Sequence, residues 1–163
     1  MLSSSKITEV KNILVILSFC AVLAGCESIG VYEKTHFFPS HSWTSKEKPA
    51  FQFSISDTTS FYHIYVVIRH EDVYHFNNLW LEITTQSPNN PPKIQQVNLQ
   101  LADNKKGWLG TGMDDIFDHR IRVTGAPIKL KSGTYTFTLN QIMREEPLAG
   151  VLNAGIRIEK AGQ

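Results

Sequence analysis

From Phe51 to the C-terminus, hydrophobic and polar positions alternate with a period of two, as strands that bury one face require. Phe51, Phe53 and Ile55 alternate with Gln52, Ser54 and Ser56, and Leu79, Leu81 and Ile83 alternate with Trp80, Glu82 and Thr84. The same rhythm runs through Val97, Leu99 and Leu101, through Ile121 and Val123, through Tyr135, Phe137 and Leu139, and through Ile156 and Ile158. Phe61 to Ile68 is apolar on both faces apart from His63, which predicts a central strand covered on both sides. Turn residues gather at 57–60, 87–92, 103–107, 125–127 and 131–133, and the prolines of 87–92 cannot donate to a ladder. No helical stripe of comparable length appears. The pattern predicts an all-β fold, an antiparallel β-sandwich of Ig-like or jelly-roll-like type with about seven to nine strands.

The first residues follow a different rule. Lys6 and Lys11 precede an apolar run from Ile13 to Ala24, too short to span a bilayer as a mature helix. It ends in Leu23-Ala24-Gly25-Cys26, a lipobox whose small residues let a lipoprotein signal peptidase reach the backbone once the thiol is acylated. Residues 1–25 are therefore expected to be a cleaved lipoprotein signal peptide, 26–48 a tether leading into a first strand, and 49–163 the sandwich domain. Cys26 becomes the palmitate-bearing N-terminus. The competing readings are an uncleaved anchor and a plain secreted protein with an accidental cysteine. Cys20 follows bulky Phe19, fits no cleavage site and leaves with the signal, so no thiol remains for a disulfide. Three acyl chains, at roughly 0.8 kcal/mol per buried methylene, hold a protein on a membrane almost permanently. No acidic run follows Glu27, which favours the periplasmic face of the outer membrane over the cell surface.

Charge narrows the partners. The 163 residues carry a formal charge of +1. Removing the leader takes Lys6, Lys11 and Glu9 with it and leaves basic and acidic side chains in equal number. A neutral chain lacks the clustered cations that neutralise phosphates, so nucleic acid is not an expected partner.

Candidate chemistry is sparse. Six histidines, His36, His41, His63, His70, His75 and His119, invite a metal reading, but there is no His-x-x-x-His pair and no Cys ligand, so solvated loop histidines are expected. Asp114, Asp115, Asp118 and His119 form an acidic cluster that suits neither an EF-hand nor a serine hydrolase. The expectation is a loop whose aspartates bond their own backbone amides while Gly110 and Gly112 supply positive φ. No catalytic residue, metal or cofactor is assigned, and the chain is read as a non-enzyme. Trp43, Trp80 and Trp108 could form a binding surface, because an indole offers both area and a donor. Trp80 falls on the polar face of its strand, as either an exposed platform or part of a second packed surface. Trp108 is expected to plug the open end of the sandwich.

Three segments carry a family resemblance. Arg69-His70-Glu71-Asp72-Val73-Tyr74-His75-Phe76-Asn77-Asn78-Leu79-Trp80-Leu81 resembles a strand, turn and strand segment of the gliding motility lipoprotein GldH family of Bacteroidetes. Trp108-Leu109-Gly110-Thr111-Gly112-Met113-Asp114-Asp115-Ile116 resembles that family's tryptophan and glycine motif. Ser132 to Phe137, Met143-Arg144-Glu145 and Gly155 to Lys160 are similar to its C-terminal end. Two departures stand out: Asp114 occupies a position where the family usually has Gly, and His70 one where Asn is common. The resemblance implies a lipoprotein required for gliding and tied to the envelope apparatus shared with type IX secretion. It implies no catalytic set. The partners expected are the membrane, through the lipid on Cys26, and other envelope proteins of that machinery, with Trp80, Trp108, Arg69 and Tyr74 as candidate contacts. Arg69 is expected to pair locally with Glu71 or Asp72. The second functional reading is a carbohydrate-binding outer-membrane lipoprotein, on the strength of the same tryptophans.

Overall fold

The computed structural model describes residues 30–162, so the expected signal peptide and Cys26 lie outside the described residues. Within them the chain forms strands β1 (Gly30–Phe37), β2 (Ser42–Trp43), β3 (Ala50–Ile55), β4 (Phe61–Glu71), β5 (Asn78–Gln86), β6 (Lys93–Gln100) and β7 (Ala102–Asp103). These are followed by β8 (Gly107–Trp108), β9 (Thr111–Met113), β10 (Ile116–Arg122), β11 (Ile128–Lys129), β12 (Gly133–Gln141), β13 (Leu148–Ala149) and β14 (Val151–Lys160). Eight of these have six or more residues and correspond to the strands that periodicity predicts. The other six have two or three residues each, too few to show a period.

Two large antiparallel sheets result, with two short two-stranded pairs, β2-β13 and β7-β8. One runs β1-β14-β4-β10-β9, with β11 also paired to β4, and the other runs β3-β12-β5-β6. The fold is all-β, as the alternation requires. Within the 26–48 segment the first strand is β1, which begins at Gly30 and joins the larger sheet along β14, and Phe38 and Trp43 of the same segment belong to the core. The sheets pack through their apolar faces. Tyr32 of β1 meets Phe53 of β3 at 5.2 Å between ring centroids, and Phe53 stacks on Tyr135 at 5.5 Å and Phe137 at 5.7 Å. Leu79, Leu81, Ile83, Leu139, Val66, Ile68 and Ile156 fill the space between. Each such side chain contributes roughly 1.5–3 kcal/mol when fully buried.

The expectation that Phe61 to Ile68 is covered on both sides needs correction. Tyr62, Ile64, Val66, Ile68 and His70 face the core, while Phe61 and Arg69 on the other face are exposed. Among the described residues no further layer lies over that face. Val67 is buried there at the floor of a depression lined by charged neighbours, including Glu33, Arg69, Asp118 and Arg120. These groups are tied by the pairs Arg120–Glu33 at 3.0 Å, Arg157–Glu33 and Arg157–Glu159. An apolar outward position is thus shielded by the stems of long charged side chains.

Strand directions sort the loops into two ends. Gly30, Phe61, Lys93, Ile128 and Lys160 lie at the end nearest the N-terminus of the domain. Phe37, Glu71, Trp108 and Ile116 lie at the opposite, distal end.

Candidate functional site

The distal end is built from the last residues of β4, the β7–β8 pair and the β9–β10 hairpin. In the ladder, His70 stands opposite Phe117 and Ile68 opposite His119, so the two imidazoles lie diagonally on the core face. Both are buried. Their Nε2 atoms are 2.9 Å apart, and the rings are nearly parallel at 19°. His70 Nδ1 lies 2.8 Å from the Glu71 carbonyl, which can only accept, so Nδ1–H donates to it. His70 Nε2 therefore accepts, and His119 Nε2–H donates. Burial pushes the His119 imidazole down to about 4, the charge of a protonated His70 adds to this, and Asp118 opposes it. Burial also lowers His70, against the Glu71 carbonyl and the charges of Asp72 and Asp118. Both rings are neutral at neutral pH, and the loop-histidine expectation fails for this pair. Three others do sit at the surface, His36 beside Glu47, His41 beside Glu71 and His75 beside Glu145.

Trp108 closes the pair from above. Its ring lies 4.4 Å from His70 and 5.6 Å from Phe117, and its Nε1–H donates to Asp72 Oδ1 at 2.6 Å. Tyr74 is buried, 5.2 Å from the His70 ring, with its hydroxyl donating to the Asn78 carbonyl. It supports the end from within and presents no surface of its own. Arg69 pairs with neither Glu71 nor Asp72: β4 turns its side chain to the face opposite His70, where Asp118 of β10 stands directly across the ladder. There it makes a two-bond fork to Asp118 on β10, both distances 3.0 Å. Glu71 instead meets His41, and Asp72 meets Trp108.

The hairpin also departs from the loop expected at 110–119. Asp118 and His119 are strand residues of β10. Gly110 and Gly112 are not in the left-handed region; they are small because a side chain would collide. A Cβ at Gly110 would sit 2.8 Å from His119 Nε2, and one at Gly112 would sit 2.7 Å from the Phe117 ring. The residue that does take positive φ is Asp114, at 54°, the first of the two residues between paired Met113 and Ile116. That is where the resembling family usually has Gly, and Asp tolerates the left-handed region better than most side chains.

Around this frame several apolar side chains are left in solvent: Phe37, Val73, Leu109 and Ile116, with Met113 the most exposed at 79%. A cleft of about 560 Å³ opens beside the hairpin, lined among others by Arg69, Glu71, Met113, Asp114 and Ile116. Sequence reasoning missed this set because the residues lie in turns and at strand ends, where no alternation marks them. The buried histidines did carry a signal: His119 continues the alternation Phe117-His119-Ile121, and His70 continues Val66-Ile68-His70.

The remaining tryptophans separate. Trp43 is fully buried, stacked on Phe38 at 5.0 Å with its Nε1–H given to the Glu47 carbonyl, and does not join a surface. Trp80 is exposed on the outer face of the smaller sheet, beside Phe76 and Met143. Next to it a cleft of about 390 Å³ is lined by Asn77, Asn78, Asn98, Gln100 and Asn104. Among the described residues, no three His, Cys, Asp or Glu side chains converge as a metal site would need.

Comparison with known proteins agrees with the motif reading. Residues 30–158 match the family described as GldH lipoprotein. The gliding motility lipoprotein GldH of Flavobacterium johnsoniae is 27% identical over 93% of this chain and 98% of its own length. The gliding motility lipoprotein GldH homolog of Christiangramia forsetii is 22% identical over 92% of this chain and 96% of its own. No solved structure matches.

Proposed function

The chain belongs to the GldH lipoprotein family, and on that premise we propose that it is a lipid-anchored gliding motility lipoprotein acting as a non-catalytic interaction module. Its acyl chains are attached at Cys26 and hold it on the outer membrane, facing the periplasm. Its partner is a protein of the envelope machinery that serves gliding and type IX secretion. The observation that carries this reading is the gathering of Phe37, Val73, Leu109, Met113 and Ile116 in solvent at one end of the sandwich. Exposed apolar side chains ringed by charge are how protein-binding surfaces are built. Trp108, Arg69 and Asp118 supply the polar rim, and Tyr74 backs it from within.

Crosslinking of the full-length lipoprotein in the cell envelope, followed by identification of the captured protein, tests the reading. Met113→Asp and Ile116→Asp are expected to lose the partner while the domain keeps its strand circular dichroism. Undiminished capture by both variants would remove the distal end from the proposal. A second reading is favoured by one observation: exposed Trp80 stands beside an amide-lined cleft, and stacking rings with nearby amides suit a sugar. Quenching or enhancement of tryptophan emission on a glycan array, lost in Trp80→Ala, would support carbohydrate binding. Silence across the array would remove it.

A further inference from the structure

The end of the sandwich opposite Trp108 has its own exposed apolar and basic side chains. We propose that this end is a membrane-contact face, which rests on the phospholipid surface with Phe61 and Ile128 in the headgroup region and Lys93, Lys129 and Lys131 against anionic headgroups. The proposal deepens the anchoring reading above and rests on acylation of Cys26.

Chain length is the first argument. Gly30 opens β1 opposite Glu159, at the same end as Phe61, whose carbonyl accepts from the Ala161 amide at 2.8 Å. Only four residue steps separate Gly30 from Cys26, and four steps of extended chain reach at most ~14 Å. An acyl group on Cys26 therefore holds this end within ~14 Å of the bilayer surface.

The chemistry of the end is the second. Phe61 is 48% exposed and Ile128 is 37% exposed, at the ends of neighbouring strands where Phe61 pairs with Lys129 and Ile128 with Tyr62. Lys129 holds its ammonium 5.3 Å above the Phe61 ring, so an aromatic face and a cation share one spot, as interfacial side chains do.

Charge sorting along the long axis is the third. At this end Asp57 is paired with Lys160 and Glu159 with Arg157. The loops 87–92 and 124–128 contain no acidic residue. Lys93, Lys129 and Lys131 make no ion pair among the described residues, so their charge faces outward. The distal end carries both signs with an acidic excess: Glu47, Glu71, Asp72, Asp103, Asp114, Asp115, Glu145 and Glu146 outnumber Lys46, Lys48, Lys105, Lys106 and Arg144. An anionic bilayer attracts the first set and repels the second, which orients the domain with its Trp108 end away from the membrane.

The test uses the acylated full-length protein reconstituted into phosphatidylethanolamine and phosphatidylglycerol vesicles whose acyl chains are brominated, a contact quencher of indole. Trp43, Trp80 and Trp108 all lie toward the distal end, and β4 separates that end from Phe61 by about 30 Å. Native emission is therefore expected to be unquenched, while Phe61→Trp adds emission that the brominated chains remove. Ile128→Trp is the second reporter should the first fail to fold. Lys129→Glu combined with Lys131→Glu is expected to restore most of the reporter emission. Mass measurement and vesicle flotation report the anchor separately. A protein that is acylated and floats, yet shows no quenching of either reporter or shows quenching of the native tryptophans, overturns the contact face and leaves the anchor standing. A protein without acyl mass on Cys26 overturns the premise as well.

Discussion

His70 and His119 place their Nε2 atoms 2.9 Å apart in the core, across the ladder between β4 and β10. The hydrogen bond joins them only while His70 Nε2 keeps its lone pair, because protonation of both rings would point two N–H groups at each other. The pair thereby couples the last turn of β4 to the hairpin that carries the exposed apolar side chains. The distal surface is held by a bond with a defined protonation requirement.

Stability is expected to fall as the solution is acidified. An unfolded histidine takes up its proton near 6.5, whereas folded His119 does so only near 4, so the unfolded state binds more protons between these values. The sign follows: stability is full above about 6.5 and is lost as pH drops toward 4. His70 shifts in the same direction. Between pH 7 and pH 5 the loss from His119 is on the order of 2 kcal/mol. Denaturant titrations at the two pH values measure it, and His119→Gln is expected to flatten the dependence. A native protein equally stable at both would refute the neutral pair.

Gly112→Ala is expected to destabilise the domain by about 1–3 kcal/mol, since its methyl would meet the Phe117 ring with core on the other side. Gly125→Ala is the control, with nothing within 4 Å of its added carbon and no left-handed backbone, and should change stability by less than about 0.5 kcal/mol. At the turn, Asp114→Ala should cost about 1 kcal/mol through its positive φ, while Asp114→Gly should be neutral or stabilising. Thermal melts of the four variants distinguish collision from backbone preference.

Trp108→Phe keeps most of the ring packed on His70 and Phe117 but removes the donor to Asp72, for an expected loss of about 1 kcal/mol. Trp108→Ala removes the cover as well and should cost about 3 kcal/mol. Equal losses in chemical denaturation would mean that the hydrogen bond, not the ring, closes the end.

Arg69→Ala and Asp118→Ala should each change stability by less than about 1 kcal/mol, because the pair is largely in solvent and screened. Loss of partner capture by these variants without loss of stability would mark the pair as part of the contact surface.

The strands and the core were legible because alternation records which face is buried: Leu79, Leu81, Ile83, Tyr135, Phe137 and Leu139 all lie where period two puts them. The distal end was less so. Glu71 shares the face of Arg69 but is taken by His41, and the partner of Arg69 stands directly opposite it on β10, 49 positions away, where sequence proximity does not reach. Sequence spacing among the six histidines says nothing about His70 and His119, which meet across a ladder. Gly110 and Gly112 were given a backbone reason when the actual one is the closeness of His119 and Phe117.

Taken alone, the sequence determined what local chemistry can write: alternating strands, turns at Gly, Pro and Asp, a lipobox ending in Cys26, and motifs specific enough to place the chain in its family. Only the tertiary structure decided which residues meet: the His70–His119 bond, Trp108 over it, Arg69 with Asp118, and the sorting of charge between two ends. The reason is physical. Period and propensity act between residues close in sequence, whereas strand register and sheet order bring distant residues together through the cooperative packing of the whole core.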